Sequence, residues 1–306
     1  MNSAVQIGTL TSGRGQCCAT LRHPGFADGF PMAPSSTSKA RHGRIRVGVG
    51  GWIYAQWRGT FYPDGLAQRR ELEYASRHLS TLEINSTYYG AQRPESFTRW
   101  HDETPEDFVF SLKAPRFAMN RRVLAEAGAT IERFLSGGVL NLRDKLGPIN
   151  WQITPGKRFD PEDYARFLEL LPDEAEGRPL RHALEVRDES FCTPEFVALA
   201  RKHKAAIVIS GDSDYPLIGD TSAPFVYARI MGTAQNHPQG YAPADLDLWA
   251  KRALAWSRGE TPDDLATYAK PLAAKAGRDV YLYVISGFKE RNPAAAVALI
   301  ERVGAS

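Results

Sequence analysis

Five pairs of polar side chains, each two residues apart, interrupt runs that are otherwise apolar: Glu83 and Asn85, Ser111 and Lys113, Asn150 and Gln152, Glu185 and Arg187, Tyr227 and Arg229. Their immediate neighbours, such as Leu82, Ile84, Phe110, Leu112, Leu184, Val186 and Ile230, are apolar. Two carboxylates and three cations in such a set could do acid–base chemistry, because neighbouring charges can split the pKa values of paired carboxyl groups. Glu83 and Glu185 are the proton-transfer candidates, with Lys113 beside them. Arg187 and Arg229 suit an anion, since the guanidinium fork matches carboxylate and phosphate. Asn85 and Gln152 would add amide hydrogen bonds. The same charges could instead satisfy one another as an ion-pair plug with no ligand.

Residues i and i+2 of a strand share a face, so each pair points one way and its apolar neighbours the other. A parallel strand buried on both faces normally reads as a continuous apolar run, which makes these breaks informative. Strands are expected at Ile45–Gly50, Thr81–Asn85, Val109–Lys113, Ile149–Ile153, His182–Arg187, Ala206–Ser210, Phe225–Ile230 and Val280–Ile285. Helical patterns lie between them at Arg69–His78, Glu95–Glu103, Ala129–Leu135, Pro161–Leu171, Pro194–Lys202, Asp245–Ser257 and Pro293–Val303. Asp160-Pro161 and Thr193-Pro194 are helix-start signals. Gly211–Pro224 reads as a loop, and Gly259–Gly277 as an insertion with one helical segment. Eight such repeats in about 260 residues favour a single closed (β/α)8 TIM-like barrel over an open sheet. Gly48-Val49-Gly50-Gly51 lacks the spacing of a dinucleotide fingerprint. The polar pairs then converge at the C-terminal ends of the strands, where barrels of this kind carry their sites.

The aromatic run Trp52, Tyr54, Trp57, Phe61 and Tyr62 follows the first strand at that same end. It either packs as a lid or offers faces on which a ligand stacks. None of the seven histidines forms a His/Asp/Glu pair at metal-ligand spacing, so no metal and no other cofactor is expected. His237, after the seventh strand, is the one histidine at the active end. Lys113 as a Schiff-base nucleophile would need a lowered pKa, which nearby arginines favour and nearby glutamates oppose.

Hydrophobic residues make up 43% and charged residues 24% of the 306, as in ordinary globular proteins. No apolar run approaches the length of a membrane span. Three cysteines, Cys17, Cys18 and Cys192, are too few to staple such a chain, which points to a reducing, cytoplasmic setting. The net charge of +3 is unevenly spread. Residues 1–46 hold six basic side chains and one acidic, leaving 32 basic against 34 acidic in the remainder. That balance gives no general attraction to nucleic acid, so a nucleic-acid partner is disfavoured. Residues 1–43, rich in Gly, Ser, Thr and Pro without hydrophobic period, read as a disordered extension, with Met32 an alternative start. The barrel would occupy 44–306.

Several motifs are distinctive: Gly48-Val49-Gly50-Gly51-Trp52-Ile53-Tyr54 leading to Trp57 and Tyr62-Pro63, then Leu82-Glu83-Ile84-Asn85-Ser86-Thr87-Tyr88-Tyr89, Phe110-Ser111-Leu112-Lys113, Lys145-Leu146-Gly147-Pro148, Glu185-Val186-Arg187 and Tyr227-Ala228-Arg229. Together they resemble the YecE-like family (domain of unknown function seventy-two), over about residues 45–306. The resemblance implies a TIM-like barrel without a settled biochemical role. It places Trp52, Tyr54, Trp57, Glu83, Asn85, Tyr88, Lys113, Gln152, Glu185, Arg187 and Arg229 at the family's signature positions. Met231, Ile285 and Ser286 depart from the family pattern, where polar groups are usual.

The reading that results is a cytoplasmic barrel that binds, or acts by acid–base chemistry on, a small anionic or sugar-like ligand. Trp52, Tyr54, Trp57, Asn85, Tyr88, Gln152, Arg187 and Arg229 are its expected binding residues, and Glu83, Glu185 and Lys113 its catalytic ones. The rivals are a non-enzymatic binding barrel and, by fold analogy alone, a nucleic-acid or repair protein.

Overall fold

The structure, a computed structural model, describes residues 42–272 and 276–305. Strands β1 (Ile45–Gly50), β2 (Thr81–Ile84), β3 (Val109–Lys113), β4 (Leu146–Gln152), β7 (His182–Glu185), β8 (Ala206–Gly211), β9 (Phe225–Ile230) and β10 (Asp279–Val284) pair in parallel and close into one barrel in that order. Helices α1 (Glu71–His78), α2 (Ser86–Tyr89), α3 (Pro94–Asp102), α4 (Arg116–Met119), α5 (Gly128–Ser136), α6 (Pro161–Glu169), α7 (Pro194–Lys202), α8 (Pro243–Ser257) and α9 (Asn292–Gly304) run between the strands. The expected (β/α)8 barrel is therefore the fold. All but His42 and Gly43 of the expected N-terminal extension lies outside the described residues.

The proline start signals act as anticipated. At α6 the Asp160 carboxylate accepts hydrogen bonds from the backbone N–H of Glu162 and Asp163, both at 3.1 Å, satisfying two first-turn donors. At α7 the Thr193 hydroxyl accepts from Phe196 N at 3.2 Å. Strand β4 starts three residues before the expected Ile149, because Pro148 obscures its beginning without preventing pairing. Strands β2 and β7 stop short of Asn85 and Arg187. Asn85 already has helical dihedrals (φ −87°, ψ −20°) and leads into α2. The helix expected within Gly259–Gly277 is absent among its described residues. That stretch is an irregular strap instead, interrupted by Pro262 and Pro271, with the Asp220 carboxylate accepting from Tyr268 N at 2.6 Å and Ala269 N at 3.0 Å. A short antiparallel hairpin, β5 (Glu174–Ala175) with β6 (Arg178–Pro179), was not anticipated. Its turn residues Glu176 and Gly177 both have positive φ (50° and 75°), as a type I′ turn requires.

Two apolar clusters confirm the alternation of faces. Val47, Val49, Leu82, Ile84, Phe110, Leu112, Ile149, Trp151 and Leu184 join the layer between strands and helices. Val109, Ala183, Ala206, Val208, Phe225, Tyr227, Tyr281 and Tyr283 form a second cluster inside the barrel. Gly48 of β1 shares the inner parity and permits close approach of β2: a Cβ there would lie 1.9 Å from the Thr81 carbonyl oxygen. Backbone cannot yield as a flexible side chain would. Gly48→Ala is therefore expected to cost about 2–3 kcal/mol, measured by urea unfolding. A loss below about 0.5 kcal/mol, typical of uneventful surface changes, would show that the strands separate freely.

Candidate functional site

The inward side chains at the C-terminal ends of the strands form two tiers. In the lower tier Arg229, at the end of β9, joins the two carboxylates. Its Nη1 donates to both oxygens of Glu185 at 2.7 Å and its Nη2 to Glu83 Oε1 at 2.9 Å. Glu185 also accepts from Arg187 Nε at 3.2 Å and Nη2 at 2.5 Å, and from Asn150 Nδ2 at 2.8 Å. The Tyr227 hydroxyl donates to Glu83 Oε2 at 2.6 Å. Both carboxylates are 0% exposed and Arg229 is 4% exposed. Beneath them the Tyr283 hydroxyl bonds Thr81 Oγ1 at 2.8 Å and Ser111 Oγ at 2.5 Å, and its ring lies 5.1 Å from that of Tyr227. Arg229 Nε, Asn150 Oδ1 and Ser210 Oγ are buried without a hydrogen-bond partner among the described residues.

The upper tier faces outward. Arg187 continues from Glu185 and stacks on Tyr215, 3.9 Å from its ring centre. Lys113 ends β3. Its Nζ donates to Gln152 Oε1 and sits 4.4 Å from the Tyr88 ring centre, in favourable cation–π geometry. Thr87 Oγ1 donates to the Lys113 carbonyl at 2.7 Å, fixing the loop that carries Tyr88 against the end of β3. Asn85 packs over Gly50 beside Glu83: a Cβ on Gly50 would meet Asn85 Nδ2 at 2.7 Å and Glu83 Oε1 at 3.7 Å. The Tyr54 hydroxyl donates to the Gly50 carbonyl at 3.0 Å. A cleft of about 280 Å³ opens behind Tyr88, between the loops after β2 and β3, floored by Phe97, Pro115 and Phe134.

Electrostatics separate the tiers. Burial alone would raise the Glu185 pKa, but Arg229, then Arg187 and Lys113, overcome it and pull the value down to about 2. Lys113 moves the other way from its usual range, to about 8, first through burial and then through repulsion by Arg229, with Glu185 and Glu83 opposing. Among the described residues no carboxylate lies within salt-bridge reach of Lys113. Burial, aided by Glu83, raises the Tyr54 pKa, and burial raises that of Tyr88, so both phenols stay protonated.

The structure thus brings together Glu83, Asn85, Tyr88, Lys113, Gln152, Glu185, Arg187, Arg229 and Tyr54. Two further expected binding residues, Trp52 and Trp57, are packed into the first βα loop. Trp52 packs edge-on against Trp100 (5.3 Å between ring centres), and its carbonyl accepts from the Tyr62 hydroxyl. Trp57 is 1% exposed, lies against Tyr54, Phe61 and Tyr62, and donates from Nε1 to the Lys289 carbonyl. Both indoles pin the first βα loop down. His237 contributes its backbone carbonyl to a local turn with Gly240. Among the described residues no three His, Cys, Asp or Glu side chains converge as a metal site, and no helix is long and apolar enough to cross a membrane.

Residues 46–306 match the family described as "Protein of unknown function DUF72". The chain belongs to the DUF72 family. The UPF0759 protein YecE of Escherichia coli is 27% identical over 150 residues, 48% of this chain and 50% of that protein, so the chain spans about half the length of this relative. The UPF0759 protein YunF of Bacillus subtilis is 26% identical over 198 residues, 63% of this chain and 67% of that one. Crystal structures of DUF72 proteins share the fold. One from Thermotoga maritima has a TM-score of 0.64 at 19% identity, covering 86% of this chain and all of that one. Another, from Enterococcus faecalis, has a TM-score of 0.62 at 17% identity, covering 87% and 100%. In this DUF72 protein Met231 and Ile285 are buried in the apolar cluster inside the barrel, against which Tyr215 packs. Ser286 and Gly287 take positive φ (56° and 53°), turning the chain beside them. Sequence reasoning missed Tyr283 and Tyr215. Tyrosine is a common strand and loop residue, and only alternation with Leu282 and Val284 marks Tyr283 as inward.

Proposed function

We propose that the mouth of this cytoplasmic barrel binds a small anionic or polyhydroxylated ligand, and that Lys113 contacts it and moves a proton. The observation behind this reading is Lys113: the residue is 8% exposed, and among the described residues its ammonium is hydrogen-bonded only to the Gln152 amide oxygen, with no carboxylate partner. A buried cation left unpaired is costly unless something else neutralises it. With a pKa of about 8 it holds its proton loosely enough to serve as an acid or base near neutrality. Arg187 and the Tyr88 ring flank it, one for an anionic group and one for an apolar or sugar face. Gln152 and Asn85 supply amide hydrogen bonds. Glu83 and Glu185, expected to transfer protons, act here as positioning residues. Glu185 accepts five hydrogen bonds, and its low pKa makes it a poor proton acceptor.

The test is calorimetric titration with D-glucuronate, citrate and glucose 6-phosphate across pH 6 to 10. At least one should bind saturably, weaken as the pH rises through about 8, and lose about tenfold in affinity in Lys113→Met. Binding with the same pH profile in both proteins, or no saturable binding by any of the three, would remove Lys113 and the anion reading together. If no turnover accompanies binding to any ligand found, the barrel is a binding protein.

A further inference from the structure

We propose that the opposite, N-terminal face of the barrel carries a second anion site, built by Arg46, Arg143, Arg178 and Arg181 and suited to phosphate groups. These four side chains line one cleft of about 520 Å³, within the size range of small-molecule sites. The cleft lies at the end of the barrel away from Lys113. Three elements converge there: the start of β1 supplies Arg46, the turn before β4 supplies Arg143, and the β5–β6 hairpin with the residues after it supplies Arg178 and Arg181.

Arg46 is the central observation. It has the inward parity of β1 and pairs in register with Tyr281 of β10. Its guanidinium lies 5.6 Å from the Tyr281 ring centre, and that of Arg181 lies 5.9 Å from the same ring. Its Nε and Nη1 are buried with no hydrogen-bond acceptor among the described residues. The side chain as a whole is half-buried, and two buried donors without acceptors favour an anion beside them. Both carboxylates of the cleft already have partners, one of them a cleft arginine. Asp279 accepts from Arg44 N at 3.0 Å and lies 3.5 Å from Arg181. Asp144 lies 3.0 Å from His101 Nε2. Arg181 also donates to the Tyr281 hydroxyl. Arg143 and Arg178 make no side-chain hydrogen bond or salt bridge among the described residues. Four cations against two engaged anions leave an excess of two positive charges, which fits a phosphate dianion better than a single carboxylate. Arg143 moreover has φ 50° and ψ −123°, a left-handed conformation that a residue with a side chain takes at some strain.

A purely structural reading also exists: Arg46 could simply cap the barrel floor by packing on Tyr281. Removing ligand-free packing arginines would then leave anion affinity untouched. The full chain is titrated calorimetrically with inorganic phosphate and with pyrophosphate at low ionic strength. Saturable binding is expected below about 10 mM, tighter for pyrophosphate, and about tenfold weaker in Arg46→Met. Arg143→Ala/Arg178→Ala should weaken it similarly. Among the described residues neither of those two side chains makes a hydrogen bond or salt bridge, so this variant decides the matter if Arg46→Met fails to fold. Tighter pyrophosphate binding marks a site for diphosphate or larger phosphorylated molecules; equal affinities mark a single-phosphate site. Unchanged affinity in both variants, or no saturable binding, would overturn the proposal. Because the variants leave Lys113 and Arg187 in place, unchanged affinity would assign the anion to the mouth, while failure of the mouth reading would leave this result intact.

Discussion

Arg229→Met is expected to lower stability by about 3–5 kcal/mol, a fall in thermal midpoint of roughly 6–10 °C for a domain of this size. Arg229 is 4% exposed and, among the described residues, is the sole bridge between Glu83 and Glu185, both fully buried. Methionine fills a similar volume, so the effect isolates charge rather than a cavity. Glu185 keeps Arg187 and Asn150 as partners, whereas among the described residues Glu83 keeps only the Tyr227 hydroxyl. Glu83 therefore becomes the orphan. Adding Glu83→Gln should recover part of the loss, because an amide tolerates a dry site better than a carboxylate. The double-mutant cycle gives the Glu83–Arg229 coupling, expected to exceed about 2 kcal/mol. A midpoint within about 2 °C of wild type would mean that this lower tier does not hold the barrel's interior together.

How far the molecule can be read from its residues depends on what each residue type excludes. Glutamate, lysine and arginine inside apolar runs admit few explanations, so the inward face of β2, β3, β7 and β9 was legible from alternation alone. Tyr281 and Tyr283 share that parity but not that legibility, since tyrosine is unremarkable on either face of a strand. Trp52 and Trp57 mark the right loop without telling which way their rings turn. Packing against Trp100, Phe61 and Tyr62 decides that, and those contacts join residues far apart in the chain. The β5–β6 hairpin is two residues per strand, too short for any period to register. Arg46 was hidden for a different reason. It sits at the end of the basic N-terminal stretch and counts there as one charge among six, though its strand position aims it inward. Pairing in the lower tier also lies beyond sequence: alternation says the charges meet, and only geometry says that Arg229 takes both carboxylates while Lys113 takes neither.

The two tiers should differ in their response to pH, and acid unfolding gives the second large effect. The Glu185 pKa is near 4.5 when unfolded and about 2 when folded. A carboxylate whose folded pKa is depressed stabilises the fold above its unfolded pKa and loses that contribution as the pH falls through 4.5 towards 2. A shift of this size corresponds to about 3 kcal/mol. Urea unfolding of wild type between pH 5 and pH 2 should show this loss on top of the general acid slope. Glu185→Gln should be less stable at neutral pH and flatter in that window, so that the two curves approach each other near pH 2. A carboxyl kept protonated for catalysis would do the reverse, and a wild-type curve that rises as the pH falls below 4.5 would refute the positioning role. Lys113 supplies the contrast. Its folded pKa of about 8 lies below the usual 10.5, so the folded protein carries a penalty of similar size below pH 8, relieved as the pH rises from 8 to 10.5. Stability gained at Glu185 and stability forgone at Lys113 separate a charge that builds the mouth from one held ready for a ligand.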